Sequence, residues 1–126
     1  MKKVAIIGVS IIVLVLIVLQ ILRPKFAESS FVKGKALLDS ARYAEAIVNF
    51  DKAIWYKKNP VYFNCKGLAN AGLGKDSIAI IDYNKAIEMN ATVAEYFLNR
   101  GVSLRKLKKY DNSLQDVNKA IELDNK

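Results

Sequence analysis

The residue types that most often carry out catalysis are scarce in this chain. It has no histidine and one cysteine, Cys65, so neither a Ser-His-Asp nor a Cys-His arrangement can form. A single cysteine excludes an internal disulfide, and without histidine few metal ligands remain. No glycine-rich segment follows a predicted strand, as a phosphate-binding loop requires. We therefore predict that the protein is not an enzyme and that it uses no cofactor and no metal.

Two asparagines, Asn64 and Asn99, are the polar residues best suited to recognising another chain. A side-chain amide donates and accepts hydrogen bonds at once, so it can pair with the backbone of an extended peptide. The alternative interpretation is an ordinary asparagine on a solvated helix face. Which of the two applies depends on the elements that position these residues.

A pattern of small, large and small residues occurs three times in the chain. In the first copy it consists of Ala46, Phe50 and Ala53. The later copies are Ala79, Tyr83 and Ala86, then Ser113, Val117 and Ala120. A glycine precedes each copy, and Gly34, Gly67 and Gly101 are separated by 33 and 34 residues. Self-similarity at this period indicates a repeat architecture.

The spacing of the apolar residues within each copy predicts helices in pairs. We expect six, at about 27–39, 43–57, 61–73, 76–89, 94–107 and 110–123. Small residues on one stripe of a helix allow a neighbouring helix to approach closely. The three glycines lie inside first helices, where glycine costs about 1 kcal/mol relative to alanine. We expect close helix contact to compensate this cost.

The sequence resembles the tetratricopeptide repeats from about residue 27 to 126. The residues that carry the resemblance are Gly34, Leu37, Tyr43, Ala46, Phe50 and Ala53, then Phe63, Gly67, Gly74, Ala79, Tyr83, Ala86 and Ile87, then Phe97, Gly101, Tyr110, Ala120 and Ile121. Departures from the pattern are Ser30 in place of a large aromatic residue, Asp76 in place of tyrosine and Ser113 in place of alanine. The resemblance implies an all-α fold, a solenoid of three helical hairpins (an α-α superhelix) with repeats at about 27–59, 60–93 and 94–126.

The resemblance also implies a concave groove lined by the first helices, in which a protein or peptide partner binds. Helical phase assigns twelve residues to this groove: Phe31, Lys35, Leu38, Val61, Asn64, Cys65, Leu68, Glu95, Leu98, Asn99, Val102 and Arg105. Chaperone-binding members of the family clamp a terminal carboxylate with paired Lys/Asn and Lys/Arg. Here Phe31 with Lys35 and Glu95 with Asn99 stand at those places, which does not favour such a clamp. The semi-apolar lining favours an amphipathic peptide or helix.

The first 25 residues are predicted to form a separate unit, a single-pass membrane anchor. Residues 4–22 are aliphatic except for Gly8, Ser10 and Gln20, and a helix of this length spans about 28 Å, close to the thickness of a bilayer core. A cleaved signal peptide is the alternative, but the run is long for one and no small residues follow it. We expect Pro24 to end the helix. The Lys2-Lys3 start resembles a signal-anchor, which favours the extracytoplasmic side for residues 26–126, although the flanking charges do not exclude the cytoplasmic side.

Half of the net charge of +8 lies in this N-terminal unit. Four of the 20 basic residues flank the apolar run, so residues 26–126 carry 16 basic against 12 acidic residues, a net charge of +4. This bias is too small to indicate a nucleic-acid partner, and no small-molecule substrate is indicated. One dense basic cluster, Arg105, Lys106, Lys108 and Lys109, is interpreted as a solvated turn, with anionic lipid or an acidic partner as alternatives.

The last predicted helix has one apolar stripe, Leu114, Val117 and Ile121, and is otherwise polar. A repeat array needs a polar terminal face, so we expect this helix to end the stack against water. Together these features predict a membrane-anchored adaptor that binds a partner in its groove. The alternative is a structural subunit of a membrane complex or a self-associating scaffold, with helix faces as permanent interfaces.

Overall fold

The computed structural model describes residues 1–126 and contains six α-helices and no strand. The helices are α1 (Lys2–Asp39), α2 (Tyr43–Tyr56), α3 (Pro60–Gly72), α4 (Asp76–Met89), α5 (Ala94–Lys106) and α6 (Tyr110–Asp124). Apart from the start of α1, every boundary lies within one residue of the sequence prediction. The all-α fold and the pairing of the helices into hairpins are therefore confirmed.

Residues 2–39 form one continuous helix, so the prediction that Pro24 ends the helix is wrong. Proline has no N–H to donate, and its ring costs about 3 kcal/mol inside a helix. The helix continues because packing stabilises the residues after the proline. Ala27 is buried against α2, and the rings of Phe26 and Tyr56 have centroids 5.4 Å apart. The predicted domain boundary between residues 25 and 26 therefore falls inside a helix.

The helices run alternately up and down, which gives the stack of hairpins two distinct ends. The near end adjoins residue 25 and contains the connections 57–59 and 90–93 and the C-terminus. The far end contains the three turns within hairpins, at 40–42, 73–75 and 107–109. These turns share one conformation, with a positive φ at Ala41 (57°), Gly74 (74°) and Lys108 (60°). In each, the next residue donates its N–H to the carbonyl oxygen five residues back, at 2.9 Å, which closes the helix end.

The core consists of the small–large–small stripes of the second helices. Ala46, Phe50 and Ala53 are fully buried, as are their counterparts in α4. A Cβ added at Gly34 would lie 2.8 Å from the Phe50 ring, and one at Gly67 would lie 2.5 Å from the Tyr83 ring. Close contact thus compensates the glycine in the first two hairpins, as the sequence predicted. In the third hairpin a Cβ at Gly101 would meet nothing closer than 3.4 Å, so the compensation there is weaker.

Asp76 and Ser113, the two departures from the repeat pattern in the later hairpins, each have a local structural reason. The Ser113 hydroxyl donates to the carbonyl oxygen of Gly101 at 2.8 Å, so the serine adds a buried link between α5 and α6. Tyr43 lies against α3, where a Cβ at Gly72 would be 2.6 Å from its ring. One hairpin later Asp76 replaces the tyrosine, and its carboxylate is 3.8 Å from the Lys106 ammonium group of α5. An ion pair therefore replaces an aromatic contact at the second junction.

The expectation that the last helix ends the stack with a polar face is wrong. In α6 the buried residues are Ser113, Asp116 and Ala120, whereas Leu114 is 61% exposed and Ile121 is 54% exposed. The counterparts of Leu114 in α2 and α4, Ile47 and Ile80, are partly covered because α3 and α5 pack on those helices. In the structure α6 contacts only α5, so the Leu114 and Ile121 side chains of its apolar stripe are exposed.

Candidate functional site

A concave surface is formed by the first helix of each hairpin. Helix α1 contacts α3 and α3 contacts α5, whereas the second helices α2, α4 and α6 do not contact one another. The stack therefore curves with its first helices on the inside. We call the surface formed by residues 28–38 of α1 together with α3 and α5 the groove.

The predicted groove residues fall into three groups by exposure. Exposed residues are Lys35, Val61, Glu95, Leu98, Val102 and Arg105; partly exposed residues are Phe31, Leu38, Leu68 and Asn99; buried residues are Asn64 and Cys65. The exposed group supplies apolar surface in the middle of the groove and charge at its ends. The buried group lies beneath and supports this surface.

Asn64 connects α3 to α5 through two hydrogen bonds. Its amide nitrogen donates to a Glu95 carboxylate oxygen at 3.2 Å, and its amide oxygen accepts from the Asn99 nitrogen at 3.0 Å. Asn64 is 3% exposed, so its own amide is not offered to a ligand. The amide oxygen of Asn99 makes no hydrogen bond within the chain and remains available. Asn64 is therefore a positioning residue that orients Glu95 and Asn99. The sequence did not predict that Asn64 and Asn99 would have these different roles.

Phe31 lies toward the near end of the groove and packs against two aromatic rings. Its centroid lies 4.7 Å from that of Tyr62, in a stacked arrangement, and 6.0 Å from that of Phe50. The Tyr62 hydroxyl donates to the Glu28 carboxylate at 3.4 Å, and burial raises the pKa of this tyrosine. Phe31 thus belongs largely to the packing between the first two hairpins, with one edge facing the groove.

Cys65 lies under the groove, and its thiol has low reactivity. Burial is the main cause that raises the pKa of its thiol, to about 11; Glu95 and Asp39 raise it further, and only Lys35 lowers it. Because the thiolate is the reactive form, we expect maleimide at pH 7 to label Cys65 far more slowly than an exposed thiol introduced by Ser77→Cys. Equal labelling rates, measured by mass spectrometry on the folded chain, would contradict this expectation.

The groove carries opposite charges at its two ends. Glu28 and Glu95 each stand six residues before the glycine of their helix, so both lie at the near end of the groove. Lys35 and Arg105 lie toward its far end, together with one acid, Asp39, so the net charge there is positive. Sequence reasoning missed Glu28, although its repeat position, shared with Glu95, was a usable signal. A ligand along the groove therefore meets anionic, then apolar, then cationic surface.

A second polar cluster lies away from the groove, where Arg100 of α5 contacts side chains of both α4 and α6. The Arg100 guanidinium donates to both oxygens of Asp116, at 2.8 and 2.7 Å, and to the Asn84 amide oxygen at 2.8 Å. It also lies 5.5 Å from the centroid of the Phe97 ring. The bonds to the buried Asp116 join the two helices of the last hairpin, and the bond to Asn84 of α4 links that hairpin to the one before it. Nothing in the sequence pattern indicated it.

The basic cluster Arg105, Lys106, Lys108 and Lys109 lies at the far end of the stack. Its residues are all exposed, and Lys106 faces Asp76. No three His, Cys, Asp or Glu side chains come together anywhere in the chain in a way that would hold a metal ion.

A stack of helical hairpins with a mixed apolar and charged groove defines a class of protein, the helical-repeat interaction modules. The tetratricopeptide-repeat family model matches residues 94–126, the third hairpin. Among curated protein sequences none matches significantly. With the solved structures described next, this match shows a tetratricopeptide repeat at residues 94–126 within a stack of tetratricopeptide-repeat fold, and the resemblance seen in the sequence is confirmed.

Several solved tetratricopeptide-repeat domains superpose on most of the chain. The human RPAP3 first domain is 27% identical, covers 79% of this chain and 80% of its own, and has a TM-score of 0.77. The first domain of Spaghetti (RPAP3), bound to the HSP90 peptide SRMEEVD, is 26% identical with the same coverages and TM-score. The Arabidopsis OM64 domain is 22% identical, covers 80% of this chain and 84% of its own, and has a TM-score of 0.78. This last likeness concerns the fold alone.

Proposed function

We propose that the protein is a membrane-anchored adaptor that binds a partner peptide or helix in its groove. The observation that carries this proposal is the groove itself, in which exposed Val61, Leu98 and Val102 lie around an Asn64–Glu95–Asn99 network that is already ordered. A preordered surface loses little freedom on binding, which favours recognition. One structural relative supports a peptide ligand, since the first domain of Spaghetti (RPAP3) is solved with an HSP90 peptide.

The anchor is the first part of α1. This helix is long and apolar enough to cross a membrane, and none of its most apolar stretch is buried in the chain. A surface of this kind is costly in water and favourable in lipid. Tethering in a bilayer would confine encounters with the partner and raise its effective concentration. We place the repeats on the extracytoplasmic side, as the signal-anchor pattern suggests; a membrane-impermeant maleimide that fails to label Ser77→Cys in intact cells would reverse this assignment.

The expected ligand follows from the order of charges along the groove. Glu28 and Glu95 favour a basic residue at the near end, and Lys35 and Arg105 favour an acidic residue at the far end. Between them, Leu98 and Val102 favour an apolar face. A carboxylate at the near end would meet Glu95 rather than a cation. An acidic C-terminal peptide such as SRMEEVD is therefore not the ligand we propose.

A photo-crosslinking residue placed at Leu98 of the full chain, in its native membranes, tests the groove. We expect discrete protein adducts that disappear with Val102→Glu, because a buried unpaired carboxylate opposes docking of an apolar face. The matched control is Val48→Glu, which changes an exposed valine of α2 and should leave the adducts intact. Adducts that survive Val102→Glu, or that form equally well from a crosslinker at Ile81, would overturn the groove assignment.

A second candidate function, a self-associating scaffold or a subunit of a membrane complex, is favoured by the exposed stripe of α6. Tyr110, Leu114 and Ile121 are all more than half exposed and stand where an earlier hairpin would receive the next helix. If this function is correct, the detergent-solubilised chain should be oligomeric, and Leu114→Glu/Ile121→Glu should reduce its mass to that of a monomer. A monomeric wild-type chain would exclude self-association through this face.

A further inference from the structure

The near end of the stack presents an exposed group of aromatic rings beside the apolar run. Trp55 is 75% exposed, the most exposed aromatic side chain of the repeats, and its ring meets that of Tyr56 edge-on at 4.9 Å. Tyr56 in turn packs on Phe26, with centroids 5.4 Å apart. Because Phe26 belongs to α1, the three rings are tied to the helix that continues into the apolar run.

Four cations surround these rings and lack partners in the chain. Arg23 and Lys25 precede Phe26 on α1, and Lys57 and Lys58 follow Tyr56 in the connection to α3. All four are exposed, and none forms an ion pair, although eight salt-bridge contacts occur elsewhere in the chain. A patch of amphipathic rings and unpaired cations has the chemistry of a surface that meets lipid headgroups.

The continuous α1 sets the height of this patch relative to a bilayer. Phe26 lies four residues after Leu22, the end of the apolar run, so it stands about 6 Å beyond the hydrocarbon core along an untilted helix. That distance falls within the headgroup layer. We propose that Phe26, Trp55 and Tyr56, with Arg23, Lys25, Lys57 and Lys58, dock into the headgroup layer of the bilayer that holds α1, with a preference for anionic lipid. This inference rests on the membrane anchoring proposed above.

The same geometry gives the basic cluster at the far end a different role. Asp39 is 17 residues beyond Leu22, which puts the far end about 25 Å above the hydrocarbon core. The Debye length at physiological salt is about 8 Å, so the lipid surface potential does not reach Arg105 or Lys108. Of the alternatives that the sequence left open for this cluster, lipid of the same membrane is therefore disfavoured.

Trp55 is the only tryptophan in the chain, so its fluorescence reports directly on the proposed contact. The full chain is reconstituted into phosphatidylcholine vesicles with and without phosphatidylserine, and its incorporation is checked by flotation. We expect blue-shifted emission and strong quenching by lipids brominated near the headgroup. The double variant Trp55→Phe/Tyr110→Trp, which moves the probe to the far end, should be at least about twofold less quenched by these lipids.

The possible outcomes separate this inference from the anchoring on which it depends. A chain that does not float with the vesicles overturns both. A chain that floats, but whose Trp55 emits as in water and is quenched by acrylamide, overturns only the docking. Blue-shifted emission without bromolipid quenching assigns the patch to a protein contact and also overturns it. Lys57→Gln/Lys58→Gln should weaken the effect of phosphatidylserine while leaving flotation unchanged.

Discussion

Gly67→Ala is expected to destabilise the repeats by about 1–2 kcal/mol net, although alanine is the better helix former. Helix propensity alone would stabilise the chain by about 1 kcal/mol. The new Cβ, however, would lie 2.5 Å from the ring of Tyr83, which is fully buried and cannot move aside. Overpacking of this kind costs about 1–3 kcal/mol or more. Thermal unfolding of the full chain in mild detergent, followed by circular dichroism at 222 nm, measures the effect.

Gly101→Ala is the matched control, at the same repeat position one hairpin later. Its Cβ would meet atoms no closer than 3.4 Å, because Val117 stands where the earlier hairpins have an aromatic ring. We expect this variant to be stabilised by about 0.5–1 kcal/mol, so the two substitutions should have opposite signs. Destabilisation of both variants by the same amount would show that the aromatic contact is not the cause.

Replacing Arg100 with leucine is expected to cost about 2–3 kcal/mol. Asp116 would keep its charge in a buried site without its bidentate partner, and breaking a fully buried pair costs about 3–5 kcal/mol. The Arg100 side chain is 23% exposed, and solvent reduces this figure. The loss should appear as a lower midpoint of urea unfolding in detergent, with the last hairpin unfolding first, since Arg100 joins α5 to both α4 and α6.

Two further variants identify the chemistry of this cluster. Arg100→Lys should recover less than half of the loss, because an ammonium group cannot bind both Asp116 oxygens and Asn84 together. The apolar pair Arg100→Met/Asp116→Leu should be more stable than Arg100→Leu, since it leaves no unpaired charge. An Arg100→Lys chain as stable as the wild type would show that the cluster contributes no more than a simple surface ion pair.

Local signals predicted the helices and turns well, because each hairpin repeats them. Asn59 accepts the Val61 N–H at 2.9 Å and Pro60 begins α3, within one residue of the predicted start. The period of the glycines placed the first helices opposite the rings of the second helices. These features depend on residues close in sequence, so the sequence alone was sufficient.

Features that depend on packing between elements were not predicted. Pro24 indicated a helix end, but Phe26 and Ala27 are held by α2, and that contact was not visible in the sequence. The sequence predicts a polar outer face for α6, but the buried residues of this helix are Ser113, Asp116 and Ala120. Asn64 was placed on the groove surface, but α5 covers it. In all three cases a neighbouring helix, or the lack of one, decided the outcome.

The unbroken α1 has a mechanical consequence for a protein held in a bilayer. With no flexible linker between the apolar run and the first hairpin, rotation of the anchor about its own axis turns the groove through the same angle. One extra residue between Arg23 and Ala27 would swing the groove by about 100°. Tension on a captured partner would tilt the whole molecule, since no slack segment is present to absorb it. The direction in which the groove faces its partner would therefore be determined by the rotation of the anchor in the membrane.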